Sequence, residues 1–203
     1  MREKFWNKLA PLGFYAPLVV MYLVSLPILS LSRVGLMLWQ SDRVAATGIW
    51  PEMLLQGLRI DLIQMGLLVI IPLLLAPLFA HRAAWKGWRW FTFIWVVLSV
   101  TLLIFMEAAT PGFIGEYDTR PNRLFVEYLK YPREVIPMLW NGFRIHVFAG
   151  LGALVLTLWG MVHFMGPWLR QHPPSRYHWH WLALPVMMLL VVFSVRSTTD
   201  HRP

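Results

Sequence analysis

The chain has 203 residues, of which 58% are hydrophobic and only 14% are charged, and its mean hydropathy is +0.55. A soluble domain carries roughly a quarter charged residues because they face water, so this composition excludes an ordinary soluble fold. The absence of cysteine excludes disulfides and thiolate metal sites. The formal charge of +8 lies beside apolar runs, which favours contact with anionic lipid headgroups and argues against a nucleic-acid partner.

Long apolar runs follow one another along the chain and are typical of helices that cross a hydrocarbon layer of about 30 Å. They predict an all-α, polytopic membrane protein with a bundle of about five transmembrane helices. We interpret the amino-terminal run as an uncleaved first span because it is too long for a signal sequence. Pro72, Pro77 and Pro185 fall inside the runs and predict kinks, not ends. The expected spans are about 12–39, 53–79, 90–106, 145–165 and 181–195.

The distribution of Lys and Arg predicts the orientation, since short cytoplasmic loops are enriched in these residues. Three segments on one side carry basic residues, whereas the loops on the other side mix acids and bases. The N-terminus is therefore expected in the cytoplasm and the C-terminus on the outer side of the membrane. The basic residues are Arg2, Lys4, Lys8, Arg82, Lys86, Arg89, Arg170 and Arg176. Tryptophans at the span edges are predicted as interfacial anchors: Trp39, Trp50, Trp85, Trp88, Trp90, Trp168, Trp179 and Trp181.

An outer loop over about 108–144 is the one sizeable extramembrane segment. Pro111, Gly112 and Gly115 are expected to break the third helix, and short interfacial helices are expected within the loop. One interpretation is an interfacial connector whose charges face water. The other is a polar site for a lipid headgroup, formed by Glu116, Asp118, Arg120, Asn122 and Arg123.

Arg59 and Asp61 open the second span, where ionisable residues are functional candidates because they need partners or water. Two residues apart on a helix, they point to nearly opposite faces, so each needs a separate partner. The loop residues Glu116, Asp118 and Arg120 are the expected partners, either as a structural tie or as part of a binding site. Glu107 is interpreted as a solvated carboxylate at the end of the third span.

No catalytic set and no metal site are predicted in this chain. His163, His172, His178 and His180 lie near one another in the sequence. The spacing of the last two does not suit ligands on one helix face, so interfacial histidines are the preferred interpretation.

Three motifs together resemble the membrane half of the lipoteichoic acid synthase family, which comprises sulfatase-like phosphoglycerol and phosphoethanolamine transferases of bacterial envelopes. The first is Gly57-Leu-Arg-Ile-Asp-Leu at the second span. The second is Glu116-Tyr-Asp-Thr-Arg-Pro-Asn-Arg-Leu-Phe-Val-Glu-Tyr-Leu in the outer loop, and the third is Arg196-Ser-Thr-Thr-Asp-His-Arg-Pro.

The resemblance implies that residues 1–195 form a transmembrane domain and that 196–203 begin a linker to an extracytoplasmic catalytic domain. That domain, of the alkaline phosphatase superfamily, would hold a divalent metal (Mn or Mg) and a threonine nucleophile. It would transfer a headgroup from a phospholipid to a glycolipid or glucan. The chain by itself is expected to be inactive, since Thr198, Thr199, Asp200 and His201 match only the family's linker.

The implied partners are an anionic phospholipid and the chain's own catalytic domain. The implied headgroup site consists of Arg59, Asp61, Glu116, Asp118, Arg120, Asn122 and Arg123. Two other functions stay open: a lipid-binding sensor or interaction module without catalysis, and a small transporter.

Overall fold

The computed structural model describes residues 2–79, 81–121, 144–173 and 177–195, together with Lys130, Arg133, Pro137 and Trp140, and these parts contain no β-strand. Two short helices, α1 (Arg2–Leu9) and α3 (Ser41–Thr47), accompany five longer ones. The longer helices are α2 (Ala16–Trp39), α4 (Trp50–Phe79), α5 (Trp85–Tyr117), α6 (Arg144–Met165) and α7 (Tyr177–Val195). Short 3₁₀ turns cover Ala10–Tyr15, Arg82–Ala84 and Gly166–Arg170.

The predicted all-α polytopic bundle is confirmed. Four helical segments in the described parts of the chain are long and apolar enough to cross a membrane: Arg2–Trp39, Trp50–Phe79, Arg82–Tyr117 and Val147–Arg170. The fifth is the shorter apolar stretch Trp181–Phe193 within α7. The helix α7 has 19 residues and measures about 28 Å, close to the thickness of the hydrocarbon layer.

The helix α2 lies at the centre of the bundle. Both α4 and α5 pack on it, α6 packs on α5, and α7 packs on α4. Val20 and Met21 of α2, Met65 of α4, and Val96 and Val100 of α5 are fully buried where the three central helices meet. Successive long helices run in opposite directions, so the loops alternate between the two ends of the bundle.

The amino-terminal segment is packed into this bundle. The helix α1 lies against the last turns of α6, where the Trp6 indole N–H donates to the Phe164 carbonyl at 3.0 Å. A second contact of α1 is made with the His163 carbonyl. Pro167, four residues on, has no N–H to donate to that carbonyl, so the Arg2 guanidinium donates to it instead.

The prediction that Pro111, Gly112 and Gly115 end the third helix was wrong. The helix α5 continues through Pro111 to Tyr117 and stops at Asp118, whose φ of 54° is left-handed. Glu116 therefore lies on a helix and not in a loop. The predicted short interfacial helices of the outer loop fall almost entirely outside the described residues.

The prolines that were expected to kink and not end the spans do lie inside helices, namely Pro72 and Pro77 in α4 and Pro185 in α7. A neighbouring helix satisfies one of the carbonyls they release. Pro72 has no N–H for the Leu68 carbonyl, and the indole N–H of Trp95 in α5 donates to that carbonyl at 2.9 Å.

Candidate functional site at the mixed-charge end

The two ends of the bundle differ in charge. The basic end contains α1, the start of α5 and the end of α6, whereas the mixed-charge end contains α3, the start of α4 and the ends of α2 and α5. In α5, Arg89 and Glu107 bound a run without charged residues. Eighteen helical steps separate them, or about 27 Å, which matches a hydrocarbon layer. The residues described below thus lie at the boundary of that layer.

Arg33 of α2 and Asp61 of α4 form a buried ion pair at the mixed-charge end. Their side chains are 13% and 2% exposed, and Arg33 Nη2 lies 2.5 Å from Asp61 Oδ1. The same nitrogen donates to the Gly57 carbonyl at 2.9 Å. Asp61 Oδ2 is buried with no hydrogen-bond partner among the described residues. Removing either charge would therefore leave the other uncompensated in an apolar environment.

Gly57 makes room for this pair. A Cβ atom on residue 57 would collide with the guanidinium of Arg33. The glycine sits one helical turn before Asp61, so the Arg33 side chain crosses the bare backbone of α4 to reach the carboxylate. The motif Gly57-Leu-Arg-Ile-Asp61 therefore contains both the gap and the acceptor.

Ser32, the neighbour of Arg33, makes the corresponding contact with α5. Its hydroxyl donates to Glu107 Oε2 at 2.5 Å, and Arg120 Nη1 lies 3.6 Å from Glu107 Oε1. The Glu107 side chain is only 16% exposed, so its interpretation as a solvated carboxylate was wrong. We call Ser32, Arg33, Asp61, Glu107 and Arg120 the ion-pair cluster.

The predicted site residues do not all meet. The loop residues expected to partner Asp61 do not do so, since its partner is Arg33. Asp118 instead pairs with Arg43 of α3 at 2.8 Å, with both side chains largely exposed. Arg120 joins the ion-pair cluster through Glu107.

Arg59 and Glu116 lie outside these pairs. Arg59 is partly exposed on another face of α4 from Asp61, as its spacing predicted, and no described residue pairs with it. Glu116 is exposed on the last turn of α5. Asn122 and Arg123 are outside the described residues.

Sequence reasoning missed Arg33, Ser32 and Glu107 as members of the site. A signal for the two charged residues was present, because Arg33, Asp61 and Glu107 each bound an uncharged run of 17 residues or more at the same end of the bundle. Charged groups at one depth on neighbouring helices are expected to pair, since the alternative is an unpaired charge at the edge of hydrocarbon.

The basic end is built differently. Trp6, Trp85, Trp88 and Trp168 are all less than 5% exposed, and each indole N–H donates a hydrogen bond at 3.0 Å. The acceptors are backbone carbonyls, except that Trp168 donates to the Thr92 hydroxyl. The prediction that Trp85, Trp88 and Trp168 are interfacial anchors was therefore wrong. Trp39, Trp50, Trp90 and Trp181 are about half exposed, as anchors should be.

Within the described parts of the chain, no group of three or more histidines, aspartates or glutamates lies close enough to hold a metal ion. The side chains of His178 and His180 are not among those described.

Comparison of the chain with models of known protein families gives no match, and comparison with solved structures gives none either. The chain is a multi-pass, all-α membrane protein.

Proposed function

We propose that this chain is the membrane module of a phosphoglycerol- or phosphoethanolamine-type transferase. Its mixed-charge end would bind the headgroup of an anionic phospholipid and present it to a catalytic domain on the same side. The catalytic domain, with its divalent metal, would lie beyond residues 196–203.

Guanidinium groups at the mixed-charge end support this proposal. Arg33 is neutralised by Asp61 and Arg120 by Glu107, whereas Arg59 is a partly exposed cation without a partner among the described residues. Arg120 is 40% exposed and contacts Glu107 only at 3.6 Å, so most of its five N–H donors are available. Guanidinium groups at the headgroup boundary suit a phosphodiester.

The proposed orientation places the basic end in the cytoplasm of a bacterium and the mixed-charge end outside. Among the described residues the basic end has seven Lys or Arg residues against one acid, Glu3, which is the imbalance found in cytoplasmic loops. On this orientation a headgroup at the mixed-charge end is in the outer leaflet.

The experiment measures lipid binding to the purified chain in detergent by native mass spectrometry, titrated with phosphatidylglycerol and, for comparison, phosphatidylcholine. We expect a preference for phosphatidylglycerol that falls about tenfold in Arg59→Ala and in Arg120→Ala, the loss of one charge-assisted contact. Arg170→Ala is the matched control, because it removes an 83% exposed cation from the basic end.

Equal preference in all three variants and the unchanged chain would contradict a headgroup site at the mixed-charge end. The same sample, incubated with labelled phosphatidylglycerol and a glycolipid acceptor, should release no labelled headgroup. Release by this chain alone would contradict its role as a non-catalytic module.

A further inference from the structure

A groove of about 270 Å³ lies at the seam between α4 and α5. Leu68 of α4 forms one wall, and the other is a face of α5 that runs from Phe91 to Leu102. The groove exists because α4 and α5 both pack extensively on α2 and less on each other. One side of their seam is therefore left open.

The two walls are joined by the hydrogen bond from Trp95 to the Leu68 carbonyl, the one released by Pro72. A hydrogen bond within an apolar layer is costly to break, because no water is present there to hydrogen-bond with the separated groups. The separation of the walls is thus fixed by a specific contact and does not depend on loose side-chain packing.

The position of the groove decides what fills it. Its α5 wall lies between Arg89 and Glu107, within the uncharged layer, and extends for about 16 Å along the helix. Ile94, Leu98 and Leu102 on this wall are 50%, 59% and 57% exposed. Hydrocarbon in the shape of a chain suits this groove, because the walls are apolar and the surrounding layer is lipid.

Gln64 adds a polar group on α4 one helical turn from Leu68, in the direction of the mixed-charge end. It lies four residues from Leu68 and three from Asp61, so it sits on the same side of α4, between the groove and the ion-pair cluster. Its side chain is exposed, and no described residue forms a hydrogen bond with it. A carboxamide at the edge of hydrocarbon needs a partner, and the ester carbonyls of a glycerolipid are acceptors at that depth.

We propose that the α4–α5 seam binds one diacyl glycerophospholipid. One acyl chain fills the groove, the Gln64 side-chain amide donates to an ester carbonyl, and the phosphate lies level with the mixed-charge end. The acyl-chain site follows from the groove itself, and only the identity of the headgroup rests on the proposed function.

Filling the groove tests this proposal. Leu98→Trp places a larger side chain in the groove at a position that faces lipid. Leu156→Trp is the matched control, since Leu156 is 67% exposed on α6. Leu156 lies in the same layer of the membrane. Along the chain it falls between Gly150, which is level with Phe105, and Leu169, whose carbonyl accepts a hydrogen bond from Arg89.

Titration of the purified chain with dioleoyl-phosphatidylglycerol, followed by native mass spectrometry, should show about tenfold weaker retention of lipid in Leu98→Trp. The control should retain lipid as the unchanged chain does, and Gln64→Leu should weaken retention by about threefold, the loss of one neutral hydrogen bond. Ile94→Trp fills the same groove from the preceding turn and replaces Leu98→Trp if that variant does not fold. Retention that is equal in the groove-filling variant and the control overturns the proposal.

Two further probes separate failure of the groove from failure of the headgroup site. Dioleoylglycerol has the acyl chains without the phosphate, and glycerophosphoglycerol has the headgroup without the chains. If only the headgroup site is wrong, dioleoylglycerol and phosphatidylglycerol bind alike and Leu98→Trp weakens both. If only the groove is wrong, Leu98→Trp leaves every probe unchanged while Arg59→Ala and Arg120→Ala still weaken phosphatidylglycerol.

Discussion

The two ends of the bundle are held together by different interactions. At the mixed-charge end, the Arg33–Asp61 ion pair joins α2 to α4, and the Ser32 hydroxyl joins α2 to α5 by donating to Glu107. At the basic end, indole N–H groups and guanidinium groups donate to backbone carbonyls. The difference follows from the composition of the loops, because an end with seven cations and one acid among its described residues cannot neutralise itself by ion pairing.

The carbonyls used at the basic end belong mainly to the end of α6, the turn Gly166–Arg170 and Gln171 directly after that turn. Arg89 Nη1 donates to the carbonyls of Leu169 at 2.5 Å and Gln171 at 2.7 Å. The last carbonyls of a helix have no partner within it and carry partial negative charge, so cations are favourable there. The carbonyls at a helix end thus accept hydrogen bonds from cations at the basic end, as acidic side chains do at the mixed-charge end.

The largest expected contrast between the ends is their side of the membrane. Because the chain contains no cysteine, single cysteines report position cleanly. In spheroplasts of a bacterial host, a membrane-impermeant maleimide should label Asp42→Cys in α3 fully and Lys4→Cys in α1 only after permeabilisation. Both residues are exposed. Labelling in the opposite order would reverse the proposed orientation and place the ion-pair cluster at the cytoplasmic boundary.

Loss of a buried charge should have the largest effect on stability. Arg33→Ala strands the Asp61 carboxylate, and we expect it to lower the free energy of unfolding by about 3–5 kcal/mol. Arg43→Ala breaks an exposed pair at the same end and should cost less than about 1 kcal/mol. Thermal unfolding in detergent measures both.

A double variant, Arg33→Met with Asp61→Leu, removes both charges and should recover much of the lost stability. An Arg33→Ala protein that is as stable as Arg43→Ala would show that the pair does not hold α2 to α4.

Substitutions at the basic end should change the stability by a smaller amount. Trp88→Phe removes the N–H that donates to the Phe14 carbonyl and leaves a gap beside Phe14, Phe79 and Phe91. We expect a loss of about 2–3 kcal/mol. Trp39→Phe, at a half-exposed position of the mixed-charge end, should change the unfolding free energy by less than about 0.5 kcal/mol. Equal effects of the two substitutions would mean that the buried indoles act only as interfacial anchors.

Much of the fold could be predicted from the sequence because a membrane imposes a simple rule on apolar length. The first, second, fourth and fifth spans match helices to within a few residues at most ends, and prolines such as Pro72 were recognised as internal. The end of the third span was misplaced, since Pro111 and two glycines are usual signs of a helix end in water. In a bundle, neighbouring groups and lipid keep the backbone helical through them.

The candidate site could be predicted only in part. The opposite directions of Arg59 and Asp61 followed from helix periodicity, and the structure shows Asp61 paired and Arg59 without a partner among the described residues. The partner of Asp61 could not be chosen from the sequence, because Arg33, Arg43 and Arg120 all lie on the same side. Which of them reaches the carboxylate depends on which helices are neighbours.

The sequence by itself determined that this protein is a helical membrane bundle with one basic and one mixed-charge end, because apolar run length and charge placement are properties of the chain. Tertiary structure decided that α2 is central, that Arg33 crosses Gly57 to reach Asp61, and that Trp85, Trp88 and Trp168 face inward. These outcomes depend on the packing of helix faces against one another, and a pattern of similar apolar faces does not encode which face meets which.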